Sequence, residues 1–169
     1  MRLRHWHAAP LGELRNADPS QRGVGAYKPA GLWLSDESAE ISWSEWCRNE
    51  QFGIGSMWTD FDVDMADVLH ISTERGLRKF TDIFGIQQEL SQRYSRIEID
   101  WSTVGARYKG LLITPYIWSC RLDLDWYYGW DCASGVFWDV SCLTLIERSA
   151  PLPVVSAAQR MNPTPEDHQ

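Results

Sequence analysis

The residue types able to do chemistry crowd into one stretch, Trp126–Asp139, WYYGWDCASGVFWD. A carboxylate (Asp131), a thiol (Cys132) and a hydroxyl (Ser134) stand together between a run of aromatic rings and the strand-like Val136–Asp139. Rings interleaved with small polar groups suit a pocket wall, where apolar faces give contact and a few polar atoms set orientation. The same residues also suit the core of a small β-rich domain. A second stretch with chemical potential is Leu3–Pro10, which carries His7. A third is Asp62 and Asp64, spaced to share one face of a strand, where they would hold a cation or simply face solvent.

Other familiar chemistries are missing from the sequence. There is no P-loop, dinucleotide fingerprint, H-E-x-x-H or G-x-S-x-G motif. Gly23-Val24-Gly25 lacks both the third glycine and the strand–turn–helix setting of a nucleotide loop. Cys47, Cys120, Cys132 and Cys142 form no C-x-x-C pair and have no histidine at ligand spacing, so no metal site is expected. A disulfide between Cys132 and Cys142 stays geometrically open, but free thiols are the expectation.

The elements that must position these groups follow from pattern. Arg2–Ala9 alternates as a strand, with Leu3, His5 and His7 on one face and Arg4 and Trp6 on the other. Leu11–Ala30, with Gly12, Pro19, Gly23, Gly25 and Pro29, reads as a long loop of the kind that covers a site. Gly31–Ser35, GLWLS, suits a buried strand. Ser42 and Glu45 make a capping box before a helix carrying Trp43, Trp46 and Cys47. Strands are expected at Trp58–Val63 and Val68–Ser72. Thr73 should cap a helix with Leu77, Phe80 and Phe84 on one face and Gly85 at its end. Leu90 and Tyr94 suggest a further helix over Glu89–Arg96, and Asp100 or Ser102 a short one ending by Gly110. Gly110–Thr114, then two or three strands between Ile117 and Ile146, complete the order, the best being Val136–Asp139 and Cys142–Ile146.

This irregular mixture lacks the steady alternation of a parallel doubly wound sheet and predicts an α+β fold with a mainly antiparallel sheet. The 169 residues fit one domain over 1–150, followed by a Pro-rich tail, 151–169, expected to be disordered. Ten tryptophans are unusual, and an indole is costly to bury unless its N–H finds a partner. A net charge of −7 and a pI near 5.0 argue against a general nucleic-acid ligand. They still permit a small anionic ligand held by one or two arginines. MRLRHWHAAPLGEL lacks the apolar run of a secretory signal, and no stretch approaches a membrane span, so a cytoplasmic protein without membrane contact is expected.

Three segments together resemble the ADP-ribosyltransferase superfamily. His7-Ala8-Ala9 is similar to the family's first strand, where a histidine precedes two small residues that clamp nicotinamide. Gly31-Leu32-Trp33-Leu34-Ser35 is similar to its second strand, with Trp33 where tyrosine is usual. Ser134–Asp139 with Leu143-Thr144-Leu145 resembles the strand that begins with the family's catalytic glutamate, and Ser134 stands at the glutamate's place. The string KPAGLWLS also looks like one from uncharacterised bacterial and phage proteins.

The resemblance implies a split antiparallel sheet and NAD as substrate, cleaved at the nicotinamide–ribose bond with ADP-ribose passed to an unknown acceptor, possible protein acceptors or host protein targets included. It assigns catalytic roles to His7, Asp131 and Ser134. It assigns NAD contacts to His7, Ala8, Trp33, Ser35 and Trp130. Asp131 is the nearest substitute for the missing acid, with Asp139 a weaker one, because cleavage builds positive charge on the ribose that a carboxylate stabilises. Two other readings stay open: a non-catalytic nucleotide-binding or protein-interaction factor on a related scaffold, and a β-rich domain whose tryptophans are only core.

Overall fold

The computed structural model describes residues 1–21, 28–91 and 94–149. The tail expected to be disordered, 151–169, lies outside the described residues. So do Gly23 and Gly25 of the long loop.

The chain runs β1 (Arg2–His7), β2 (Leu32–Ser35), α1 (Trp43–Asn49), β3 (Met57–Val63), β4 (Val68–Ile71), α2 (Glu74–Phe84), β5 (Gly85–Ser91), β6 (Tyr94–Ile99), α3 (Trp101–Gly105), β7 (Gly110–Ile113), β8 (Ser134–Phe137) and β9 (Leu143–Arg148). Among the described residues seven strands make one sheet in the order β4-β7-β8-β2-β1-β3-β9, and β5 and β6 make a separate hairpin. Every pairing in the large sheet is antiparallel except β4 with β7, which is parallel. The fold is therefore mixed, with a mainly antiparallel sheet and short helices.

The two-residue period of the strands sorts side chains into two apolar layers. Leu111, Ile113 and Val136 face one layer, with Trp101, Trp126 and Trp130 and the apolar faces of α2 and α3. Leu3, Leu34, Phe61, Leu112 and Phe137 face the other, which Leu11 and Leu14 help to close. Three of the buried indoles find acceptors: Trp126 donates to the Thr81 hydroxyl at 2.9 Å, Trp138 to the Tyr108 carbonyl at 2.6 Å, and Trp130 to the Ser134 carbonyl at 3.3 Å. That is how the fold tolerates so much buried tryptophan.

The helix caps follow the sequence. Ser42, Thr73 and Asp100 each accept from a first-turn N–H, and Gly85 ends α2. One expectation changes. The helix expected over Glu89–Arg96 is a hairpin, in which Gln88 pairs with Arg96 and Glu89 with Ser95. Two apolar residues four apart fit helix and strand alike, and the cross-strand partners decide. Between Ile117 and Ile146 the two strands expected to be best are present as β8 and β9. The chain before them turns through 3₁₀ segments at Trp118–Cys120 and Tyr127–Gly129, and Tyr127 and Trp130 there fill the first layer. No helix among the described residues is long and apolar enough to cross a membrane.

Candidate functional site

β2 pairs with β8 along its whole length, and β1 pairs with β3 over six residues. Between β1 and β2, however, a single Cα pairing holds, Arg4 with Ser35. The sheet parts beyond that point. A side chain bridges the strands there: the His5 Nδ1–H donates to the Trp33 carbonyl at 2.8 Å. Burial, opposed by that carbonyl and helped by His7, pushes the His5 imidazole below its ordinary pKa.

A cavity of about 150 Å³ lies where the strands part. Three indoles form much of its wall, Trp6, Trp33 and Trp43. Its polar groups include Ser35, Asp131, Ser134 and Lys28. The Ser35 hydroxyl accepts from the Trp43 N–H at 2.8 Å and so ties β2 to the start of α1. The Ser134 hydroxyl donates to the Cys132 carbonyl at 3.1 Å, and Ser134 sits directly across the sheet from Ser35. Asp131 faces two cations, Lys28 Nζ at 3.3 Å and an Arg121 guanidinium nitrogen at 3.5 Å. Arg121 is itself held by the Tyr116 hydroxyl and the Trp130 carbonyl. Lys28 Nζ also stands 5.0 Å from the centre of the Trp33 ring.

Arg4 closes one side of the cavity and is fixed by Asp60, whose side chain is 2% exposed. Arg4 donates to both carboxylate oxygens, at 2.6 and 2.9 Å, and Arg2 adds a bond at 2.7 Å. Burial alone would raise the Asp60 carboxyl, but the two guanidinium groups outweigh it and hold its pKa below the ordinary value. The Arg4 guanidinium lies 4.0 Å above the Trp58 ring. The Cys132 thiol also lines the cavity, and burial pushes it up to about 12, so it is not a nucleophile at neutral pH.

Of the residues expected at the site, Trp33, Ser35, Asp131 and Ser134 come together around this cavity. His7, Ala8 and Trp130 are not on its wall. His7 Nδ1–H donates to the Ala9 carbonyl at 2.7 Å, leaving Nε2 to accept from the Thr59 hydroxyl at 3.1 Å, and Ala8 is exposed. Trp130 is fully buried and packs behind Trp33, ring centres 4.6 Å apart and tilted by 60°. Arg4, His5, Trp6, Lys28 and Trp43 are wall residues that residue-type reasoning passed over. Lys28, at the head of KPAGLWLS, had a signal in the sequence; His5 depends on the parting of two strands, which has none.

Asp139 caps the 3₁₀ turn Val140–Cys142, and burial of Cys142 leaves it a free thiol like the other three. Asp62 is taken by the terminal amine at 2.7 Å and Asp64 by the Ala66 N–H at 3.1 Å. No group of three or more His, Cys, Asp or Glu among the described residues converges as a metal site. The sequence matches no protein-family model and no curated protein, and the fold matches no solved structure.

Proposed function

We propose that this protein is an ADP-ribosyltransferase-like NAD-binding protein that receives the nicotinamide ring in the cavity between β1 and β2. One observation carries the reading. The three segments that resemble the superfamily, far apart in the sequence, include three adjacent strands, β8-β2-β1, and the cavity opens among them. The single pairing between β1 and β2 supports a split sheet. A volume of about 150 Å³ admits one six-membered ring and no more. The ribose and phosphates of NAD would then lie outside it, and nicotinamide alone would enter.

In this reading Trp33 stacks on the nicotinamide ring and Ser35 and Ser134 offer hydroxyls to its carboxamide. Departure of nicotinamide leaves positive charge on the ribose, and Asp131 is the carboxylate on the cavity wall able to stabilise it. An unknown acceptor, a protein being one candidate, then takes the ADP-ribose. His7 can reach a ribose hydroxyl only by giving up Thr59 or the Ala9 carbonyl.

A second reading has its own observation. Asp131 is already paired with both Lys28 and Arg121, which spends much of its field, and Ser134 is neutral where the family has an acid. That favours a protein that binds NAD, or a host protein through it, without turnover. Two measurements on one sample separate the readings. A rise in melting temperature with NAD shows binding to the folded state, and release of free nicotinamide on incubation with cell lysate shows turnover. Binding with release supports transfer, binding without release supports the second reading, and no shift with NAD or nicotinamide overturns both.

A further inference from the structure

An ammonium beside a carboxylate and above an indole face is the arrangement by which proteins hold organic cations. The cavity already contains it: Lys28 Nζ is 3.3 Å from Asp131 and 5.0 Å from the centre of Trp33, in a cavity that Trp6 and Trp43 also line. The Trp6 N–H donates to Glu37 at 2.9 Å, and its ring already has a cation near it, the Arg4 guanidinium 5.4 Å from its centre. Arg4 is matched by the buried carboxylate of Asp60 and also lies 4.0 Å from the centre of the Trp58 ring, which leaves the face of Trp33 to Lys28. Lys28 has the opposite character. Its side chain is 37% exposed, and a half-exposed ion pair of this kind is weak enough for a ligand to displace.

We infer that the cavity is a site for a flat organic monocation, that the Lys28 ammonium is its internal occupant, and that the external ligand is an N-alkylated pyridinium replacing that ammonium over Trp33. The inference rests on the nicotinamide reading and sharpens it: the charged, oxidised ring is preferred over the neutral one. Lys28 sets the threshold for entry. A ligand must supply both the positive charge that Asp131 loses and the contact that Trp33 loses when the lysine withdraws to solvent.

The test titrates the full chain with N-methylnicotinamide methylated on the ring nitrogen, a pyridinium cation, and with nicotinamide, which is neutral, following indole fluorescence. Lys28→Met removes the competing charge and Lys28→Arg keeps it, with thermal melts confirming that both variants fold. The expected result is that N-methylnicotinamide binds the wild type more tightly than nicotinamide does, and that Lys28→Met strengthens N-methylnicotinamide by roughly tenfold. Nicotinamide, which cannot replace the charge beside Asp131, should gain less than N-methylnicotinamide does in Lys28→Met, and N-methylnicotinamide should gain nothing in Lys28→Arg. Unchanged or weaker N-methylnicotinamide binding in Lys28→Met, or equal binding of the two rings by the wild type, overturns the inference. An NAD titration keeps the two claims apart. Gain of N-methylnicotinamide affinity without any NAD binding upholds the cation site and overturns the nucleotide reading. NAD binding that is indifferent to Lys28→Met does the reverse.

Discussion

The His5 imidazole donates to the Trp33 carbonyl at 2.8 Å across the gap between two strands that are otherwise joined at one residue pair. A side chain thus spans the break in the sheet, and its partial burial there favours the neutral ring. Its pKa is lowered from 6.5 chiefly by burial. Above 6.5 the ring is neutral in folded and unfolded chains alike. As the pH falls below 6.5 the unfolded chain takes up a proton that the folded one resists, so stability declines until the folded value is passed. The contribution of His5 is read by difference. His5→Gln, which keeps a donor but cannot titrate, should show a shallower fall in denaturation midpoint than the wild type between about pH 7 and about pH 5. Parallel profiles would refute this role.

What the sequence makes legible is local. Ser42, Thr73 and Gly85 announce helix ends because capping is settled within a few residues. Trp33, Ser35, Asp131 and Ser134 stand out because their segments carry recognisable residue order. His5, Arg4 and Trp43 do not, because their places depend on where β1 leaves β2 and where α1 docks, which are tertiary facts. Trp130 looks like a ligand contact by composition, yet it is the packing partner behind one.

Arg4 is bidentate on the enclosed carboxylate of Asp60, which Arg2 also contacts. Removing Arg4 leaves Asp60 with Arg2 alone. Arg4→Met should cost about 1–3 kcal/mol in urea unfolding. Arg4→Met with Asp60→Leu should recover a good part of that loss, because no buried charge is then stranded. A double variant as unstable as the sum of the single ones would show that the two residues act independently.

All four cysteines are buried and free, and burial raises each thiol pKa, that of Cys132 to about 12. The thiolate is the reactive form, so a thiol reagent at neutral pH should label the native protein slowly and label all four cysteines once denaturant is added. Rapid native labelling of Cys132 would mean that the cavity opens far more readily than its walls suggest.

Gly31, which begins the strand segment GLWLS, has φ +151°, and a Cβ there would meet the Phe137 carbonyl oxygen at 2.8 Å. Both the backbone conformation and the closeness of β8 demand glycine. Gly31→Ala should lower stability by about 1–3 kcal/mol. It should weaken ligand binding too, because β2 carries Trp33 and Ser35 to the cavity. Wild-type stability in that variant would show that β8 yields to a methyl group and that the position does not require glycine.

Trp33 and Trp130 touch, yet they should behave oppositely under substitution. Trp130 has no exposed surface, lies among Trp101, Trp126 and Tyr127, and spends its N–H on the Ser134 carbonyl. Trp130→Ala should cost about 3–5 kcal/mol, the range for emptying a large aromatic from a core. Trp33 is only partly buried and presents one side to the cavity. Trp33→Leu keeps an apolar residue against Trp130 while deleting the flat face. It should therefore lose little stability and most of the affinity for N-methylnicotinamide. Should Trp33→Leu bind the cation as well as the wild type, the cavity is a packing defect of an aromatic core, and the tryptophans need no ligand to explain them.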